Sequence, residues 1–165
     1  MAVLLFWPYH GDMTRLNGIV GLLVALGCGG GSSPGGGGAI SSQALSGTIG
    51  GKAWTLGTAE SNAFLSEDDT FWVDAYAESF TPCTHATSLD TDNLILTLPK
   101  APGTYGLSLA LTQTFYIAAG SKNLAATSGT IVIESVTATT ISGAAKFAFN
   151  ADNSVDGTFQ ATICP

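Results

Sequence analysis

Phe71-Trp72-Val73-Asp74-Ala75-Tyr76-Ala77-Glu78 (FWVDAYAE) decides the fold class of this chain. Its side chains alternate: Phe71, Val73, Ala75 and Ala77 fall on one face, and Trp72, Asp74, Tyr76 and Glu78 on the other. A period of two over eight residues is the signature of a half-buried β-strand. Asn93–Leu98 repeats the pattern, with Leu94, Leu96 and Leu98 on one side. Upstream, Leu45–Ile49 and Lys52–Leu56 flank Gly50-Gly51, a two-residue turn suited to the positive φ of a tight hairpin. Further strands are predicted at Thr112–Ala118, Thr130–Thr137, Ile141–Asn150 and Val155–Cys164, the last two joined through Asp152-Asn153-Ser154. Between Asn93–Leu98 and Thr112, Pro99-Lys100-Ala101-Pro102-Gly103-Thr104-Tyr105 is expected to break the ladder. No window of twelve residues carries a 3.6-residue period with caps. Residues 44–165 therefore predict an all-β fold, a single antiparallel sandwich or barrel-like domain of about 7–9 strands. That length suffices for one core and not for two.

Ahead of this domain the composition changes. Leu22-Leu23-Val24-Ala25-Leu26-Gly27-Cys28 closes an apolar run that begins near Leu16, preceded by Arg15. About eleven residues suits the core of an export signal, whereas a bilayer span needs roughly twenty. Residues 1–27 are expected to be a signal peptide, with Met13 as the true start, because Pro8, His10 and Asp12 interrupt any apolar run before it. The stretch ending at Cys28 resembles a bacterial lipobox, with Ala25 and Leu26 departing from its usual residues. Ala25-x-Gly27 also suits ordinary signal peptidase, so both readings cut the same bond and differ in whether Cys28 receives lipid. Residues 28–43 then form a Gly/Ser-rich tether, including Gly35-Gly36-Gly37-Gly38, with an r.m.s. reach of roughly 20 Å.

Three cysteines leave one over if two are paired. With Cys28 assigned to lipid, Cys83 and Cys164 are the natural disulfide in an oxidising compartment. Two buried thiols are the alternative, and a metal site of Cys83 with His85 has too few ligands to be favoured.

Formal net charge is −7, and Lys52, Lys100, Lys122 and Lys146 are isolated, which excludes the basic patch of a nucleic-acid binder. G-x-S-x-G, HExxH and a phosphate loop are all missing from the sequence. His85 is the single histidine after the signal segment. A small envelope hydrolase using His85 or loop carboxylates is thus the less favoured reading, and no catalytic residue or cofactor is assigned. Glu67-Asp68-Asp69 and Asp90-Thr91-Asp92-Asn93 are acidic loops able to offer oxygen ligands to Ca²⁺, with Asp90 and Asp92 as weak metal candidates. Neither has the twelve-residue loop pattern, so solvated carboxylates are expected. Trp72 and Tyr76 are candidate contacts to a sugar or a partner protein. The simpler expectation is that both rings face the core.

Three elements carry a family resemblance: Ser46-Gly47-Thr48-Ile49-Gly50-Gly51-Lys52-Ala53-Trp54, Pro102-Gly103-Thr104-Tyr105, and Val155-Asp156-Gly157-Thr158-Phe159-Gln160-Ala161-Thr162-Ile163-Cys164. Together with the lipobox and tether they resemble small envelope lipoproteins of Gram-negative bacteria, mostly of unassigned function. The resemblance implies an exported protein held to the outer membrane through N-terminal lipid, Gly29 rather than Asp following Cys28. Its partners would be the membrane itself and an envelope protein or glycan. A secreted, non-lipidated β domain is the remaining alternative.

Overall fold

The alternating segment around Val73 becomes the strand Thr70–Tyr76 of an all-β domain in a computed structural model that describes residues 38–84 and 91–165. The signal segment, Cys28, most of the tether, His85 and Asp90 lie outside the described residues. Eleven strands form one sheet: β1 (Ser46–Ile49), β2 (Lys52–Thr55), β3 (Thr58–Ser61), β4 (Thr70–Tyr76), β5 (Asn93–Pro99) and β6 (Gly103–Gly106). They continue with β7 (Gln113–Ile117), β8 (Lys122–Ala125), β9 (Ser128–Val136), β10 (Thr140–Asn150) and β11 (Asn153–Thr162). The hydrogen-bonded path runs β6-β9-β10-β11-β3-β4-β5-β7-β8. This nine-strand path is a curled open sheet, a half-barrel, as the barrel-like expectation required. Curling brings β5 near β9, although β10, β11, β3 and β4 lie between them along the path.

Gly50 and Gly51 have φ of 59° and 75°, the left-handed values that a two-residue hairpin demands, and Ile49 pairs with Lys52 across them. The β1–β2 hairpin lies off the main path and docks on β11, with Gly47 opposite Val155. Further along, Thr162 of β11 pairs in parallel with Glu60 of β3, and Thr158 makes an isolated parallel bridge to Ala44. One edge of β11 is thus shared by two partners while β10 covers the other. Gly157 sits where this edge changes hands. Its φ is 149°, and a Cβ there would come within 2.6 Å of the Gln43 carbonyl oxygen.

Alternation drives the core. Val73 and Ala75 of β4, Leu94, Leu96 and Leu98 of β5, and Phe115 of β7 are fully buried. From the other arm of the curl, Ile131, Ile141 and Phe147 meet them. Burial of such side chains contributes about 1.5–3 kcal/mol each, offset by the entropy of ordering the chain. Gln113 is the polar exception, 1 % exposed. Its amide donates to Thr97 O at 3.0 Å and accepts from Thr97 N at 3.1 Å, so it continues the ladder with its side chain.

Three four-residue strands go beyond the sequence reading: β3, β6 and β8. The expectation that Pro99–Tyr105 breaks the ladder needs correction, because Gly103–Gly106 pairs with Gly103↔Ile133 to Gly106↔Thr130 of β9. Pro102 lies just before this strand, and β6 is an end strand, so no ladder donor is lost where one is needed. The strands at both ends of the path, β6 and β8, are only four residues long, which limits their use as templates for other chains.

Candidate functional site

Because Val73 and Ala75 point into the core, Trp72, Asp74 and Tyr76 must take the opposite face of β4. Trp72 thus departs from the simpler expectation that both rings are core. Tyr76 is nonetheless 7 % exposed, because the segment after β4 folds back over it. Phe80 packs edge-on against its ring at 5.4 Å, and Phe80 N donates to Thr58 Oγ1 at 3.0 Å. Trp72 stays half-buried beside a shallow depression of about 240 Å³ that includes Ile95, Thr97, Thr114 and Asn123. The two candidate contact residues thus separate: Trp72 borders the surface, and Tyr76 is covered.

Register places Asp74 directly opposite Glu60 on β3 and Ile95 on β5. Asn93 Nδ2 donates to Asp74 Oδ1 at 2.9 Å. Burial pushes the Asp74 carboxyl up to about 6 from 3.8. The negative charge of Glu60 adds to the rise, while hydrogen bonds from Trp72 and Asn93 oppose it. The Tyr76 phenol is also raised above its usual range, first by burial and then by the carboxylates of Asp74, Glu60 and Glu78.

The Asp74 shift has a stability consequence. Between pH 4 and 6 the folded state holds a proton on Asp74 that the unfolded chain has released, so stability falls as pH rises through that window. The loss is on the order of 2 kcal/mol. We expect Asp74→Asn to abolish this slope and to be the more stable protein above pH 6. Urea unfolding of both proteins across that window is the check, and parallel curves would refute the assignment.

Cys83 and Cys164 are joined, with Cα atoms 5.5 Å apart and a sequence separation of 81. Glu60 sits beside the bond: its carboxylate accepts from Cys83 N, and Oε2 lies 4.0 Å from Cys164 Sγ. Cys164 N donates to Ser61 Oγ at 2.9 Å, anchoring the chain end to β3. Glu60, Cys83 and Cys164 are the one group of three potential metal ligands among the described residues. The sulfurs are spent on each other, so the group offers a cation a single carboxylate.

The acidic loops do not converge. Glu67, Asp68 and Asp69 are exposed before β4, where their backbone carbonyls, at Glu67 and Asp69, take hydrogen bonds from Lys100. Asp92 Oδ1 accepts from Ala118 N at 2.9 Å, tying the start of β5 to the end of β7. The weak metal candidate Asp92 therefore has a structural task, and its companion Asp90 is outside the described residues.

A second site was not anticipated from the sequence. At the end of the curled sheet where the β1–β2 turn, the end of β4, the start of β5 and the end of β7 converge, a cleft of about 450 Å³ opens. Trp54 and Phe115 lie among its lining residues, in T-shaped contact at 5.8 Å. Glu78, Thr91, Asp92 and Lys52 supply its polar groups. Trp54 Nε1 and Thr91 Oγ1 are buried and have no hydrogen-bond partner among the described residues. Sequence separation hid this cleft, since Trp54, Thr91 and Phe115 share no motif. Comparison with protein-family models, curated proteins and solved structures finds no match to the chain.

Proposed function

We propose that this protein is an exported, lipid-anchored binding domain of the cell envelope, attached through Cys28 and acting without catalysis of its own. The disulfide between Cys83 and Cys164 carries the reading. Such bonds persist in oxidising compartments, and this one leaves Cys28, behind an export-type apolar run, as the odd thiol. Two or more acyl chains on that residue give stable anchoring where one is marginal. The Gly/Ser stretch after it supplies reach. The outer membrane is the proposed address, with an envelope protein or glycan as partner.

The hydrolase alternative rests on His85, outside the described residues, or on loop carboxylates; the carboxylates that face each other are instead Asp74 and Glu60 on strands β4 and β3. Both groups are already engaged, Asp74 by Asn93 and Trp72 and Glu60 by the Cys83 amide, which favours a structural use. Metabolic labelling with a fatty-acid probe tests the anchor. Wild-type protein is expected to take label and sediment with membranes, and Cys28→Ala to do neither. An unacylated cysteine at the processed N-terminus, read by intact mass, would leave the secreted form in its place.

A further inference from the structure

We infer that the outer face of β4, β5, β7 and β8, centred on the Trp72 depression, binds a neutral glycan chain; this rests on the binding-domain reading and names its surface and ligand class. Register sets Trp72 opposite Thr97, Ile95 opposite Thr114, and Thr114 opposite Ala125. These side chains share the face turned away from the core, and with Asn123 they line the depression. All are half-buried or exposed, so the site is open to solvent. The Trp72 indole N–H donates to the Asp74 carboxylate, which holds the ring in place. Tyr116, also half-buried, takes the same face next along β7.

The ligand class follows from the lining. It carries no charge, in a chain whose formal net charge is −7. A charged ligand would give up water there and gain no counter-ion. Thr97 bonds Gln113 through its backbone alone, and the side chains of Thr97, Thr114 and Asn123 make no hydrogen bond within the described residues. An apolar partner would bury these groups unpaired. Sugar hydroxyls both donate and accept, as the threonine hydroxyls and the asparagine amide do. The half-buried indole adds an apolar surface for the C–H face of a pyranose ring. A volume of about 240 Å³ falls below the roughly 300–1,000 Å³ of sites that engulf a whole small molecule, which suits one unit of a chain lying across the sheet.

The polypeptide leading from Cys28 joins the domain on the other wall. Ser41 N donates to Asp156 Oδ1 at 2.8 Å, Thr158 N donates to Gln43 O at 2.7 Å, and Gly38 lines a groove with Lys146. These contacts lie on β10 and β11, across the shared core from β5 and β7. Attachment through Cys28 therefore leaves the Trp72 face uncovered.

Calorimetric and fluorescence titration of the full chain tests the assignment. The probes are hexasaccharides of β-linked glucose, β-linked N-acetylglucosamine and α-linked mannose, with a hexasaccharide of galacturonic acid as the anionic comparison. Saturable binding of at least one neutral chain is expected, with a change in tryptophan emission that Trp72→Phe removes. Thr97→Val combined with Thr114→Val keeps shape, removes two hydroxyls and should weaken binding about ten-fold. Ala125→Ile, at an exposed lining position, should weaken it at least as much by filling the depression, while leaving the urea unfolding midpoint unchanged. No binding by folded wild-type protein, equal binding of the anionic chain, or binding that none of these substitutions alters overturns the assignment. The titration reads the depression whether or not Cys28 is acylated, so its failure and that of the anchor are separate results.

Discussion

Replacing Cys83 and Cys164 together by serine will lower the unfolding free energy of the domain by about 4–5 kcal/mol. The figure follows from the sequence separation that the bond closes, 81, through the loop entropy restored to the unfolded chain. Most domains have only about 5–15 kcal/mol in total, so the double variant should unfold at far lower urea concentration. Native contacts change less. Cys164 N keeps its bond to Ser61 and the Glu60 carboxylate keeps the amide at position 83, so the folded form survives near room temperature. Reduction of wild-type protein should reproduce the loss. Equilibrium urea unfolding measures it, and a change under about 1 kcal/mol would mean that the unfolded chain is already held compact without the bond.

Phe115→Ala is expected to cost about 3–5 kcal/mol. Phe115 is fully buried on β7 and meets Trp54 of β2 at 5.8 Å and Phe149 of β10 at 6.3 Å, both edge-on. Those two rings come from separate parts of the curl, so truncation removes apolar burial, leaves a void between arms of the sheet and loses two aromatic pairs. Each pair contributes about 0.5–1.5 kcal/mol beyond burial. Phe115→Leu, which retains most of the volume, should recover much of the loss. Thermal or urea unfolding reads both, and equal stability of the alanine and leucine proteins would count against the packing account.

The all-β class was legible because β4, β5, β10 and β11 are long enough for alternation to show. The Gly50-Gly51 turn was legible because a glycine pair readily takes the two positive φ values of a type I′ hairpin turn. β3, β6 and β8 were not, since four residues hold too little pattern to distinguish a strand from a loop. Missing β3 also hid the facing of Glu60 and Asp74, which depends on the pairing of β3 with β4. The inward or outward sense of Trp72 and Tyr76 was undecidable by period alone, because both faces of β4 carry large apolar side chains. The fold decided it by placing Leu94, Leu96 and Leu98 of β5 on the Val73 side. The Cys83–Cys164 bond was accessible by counting thiols. The cleft depended on separate segments meeting in space, from β1–β2, β4, β5 and β7.

The final strand bears on how the polypeptide matures. β11 pairs with β10, β1 and β3, and just beyond it Cys164 completes the disulfide. A chain still emerging, with this strand withheld, lacks the element that joins its early segments to its late ones. Until those residues are present, no strand joins β10 to β1 and β3. Closure of the sheet therefore waits for β11, and the disulfide for Cys164, 81 residues after its partner.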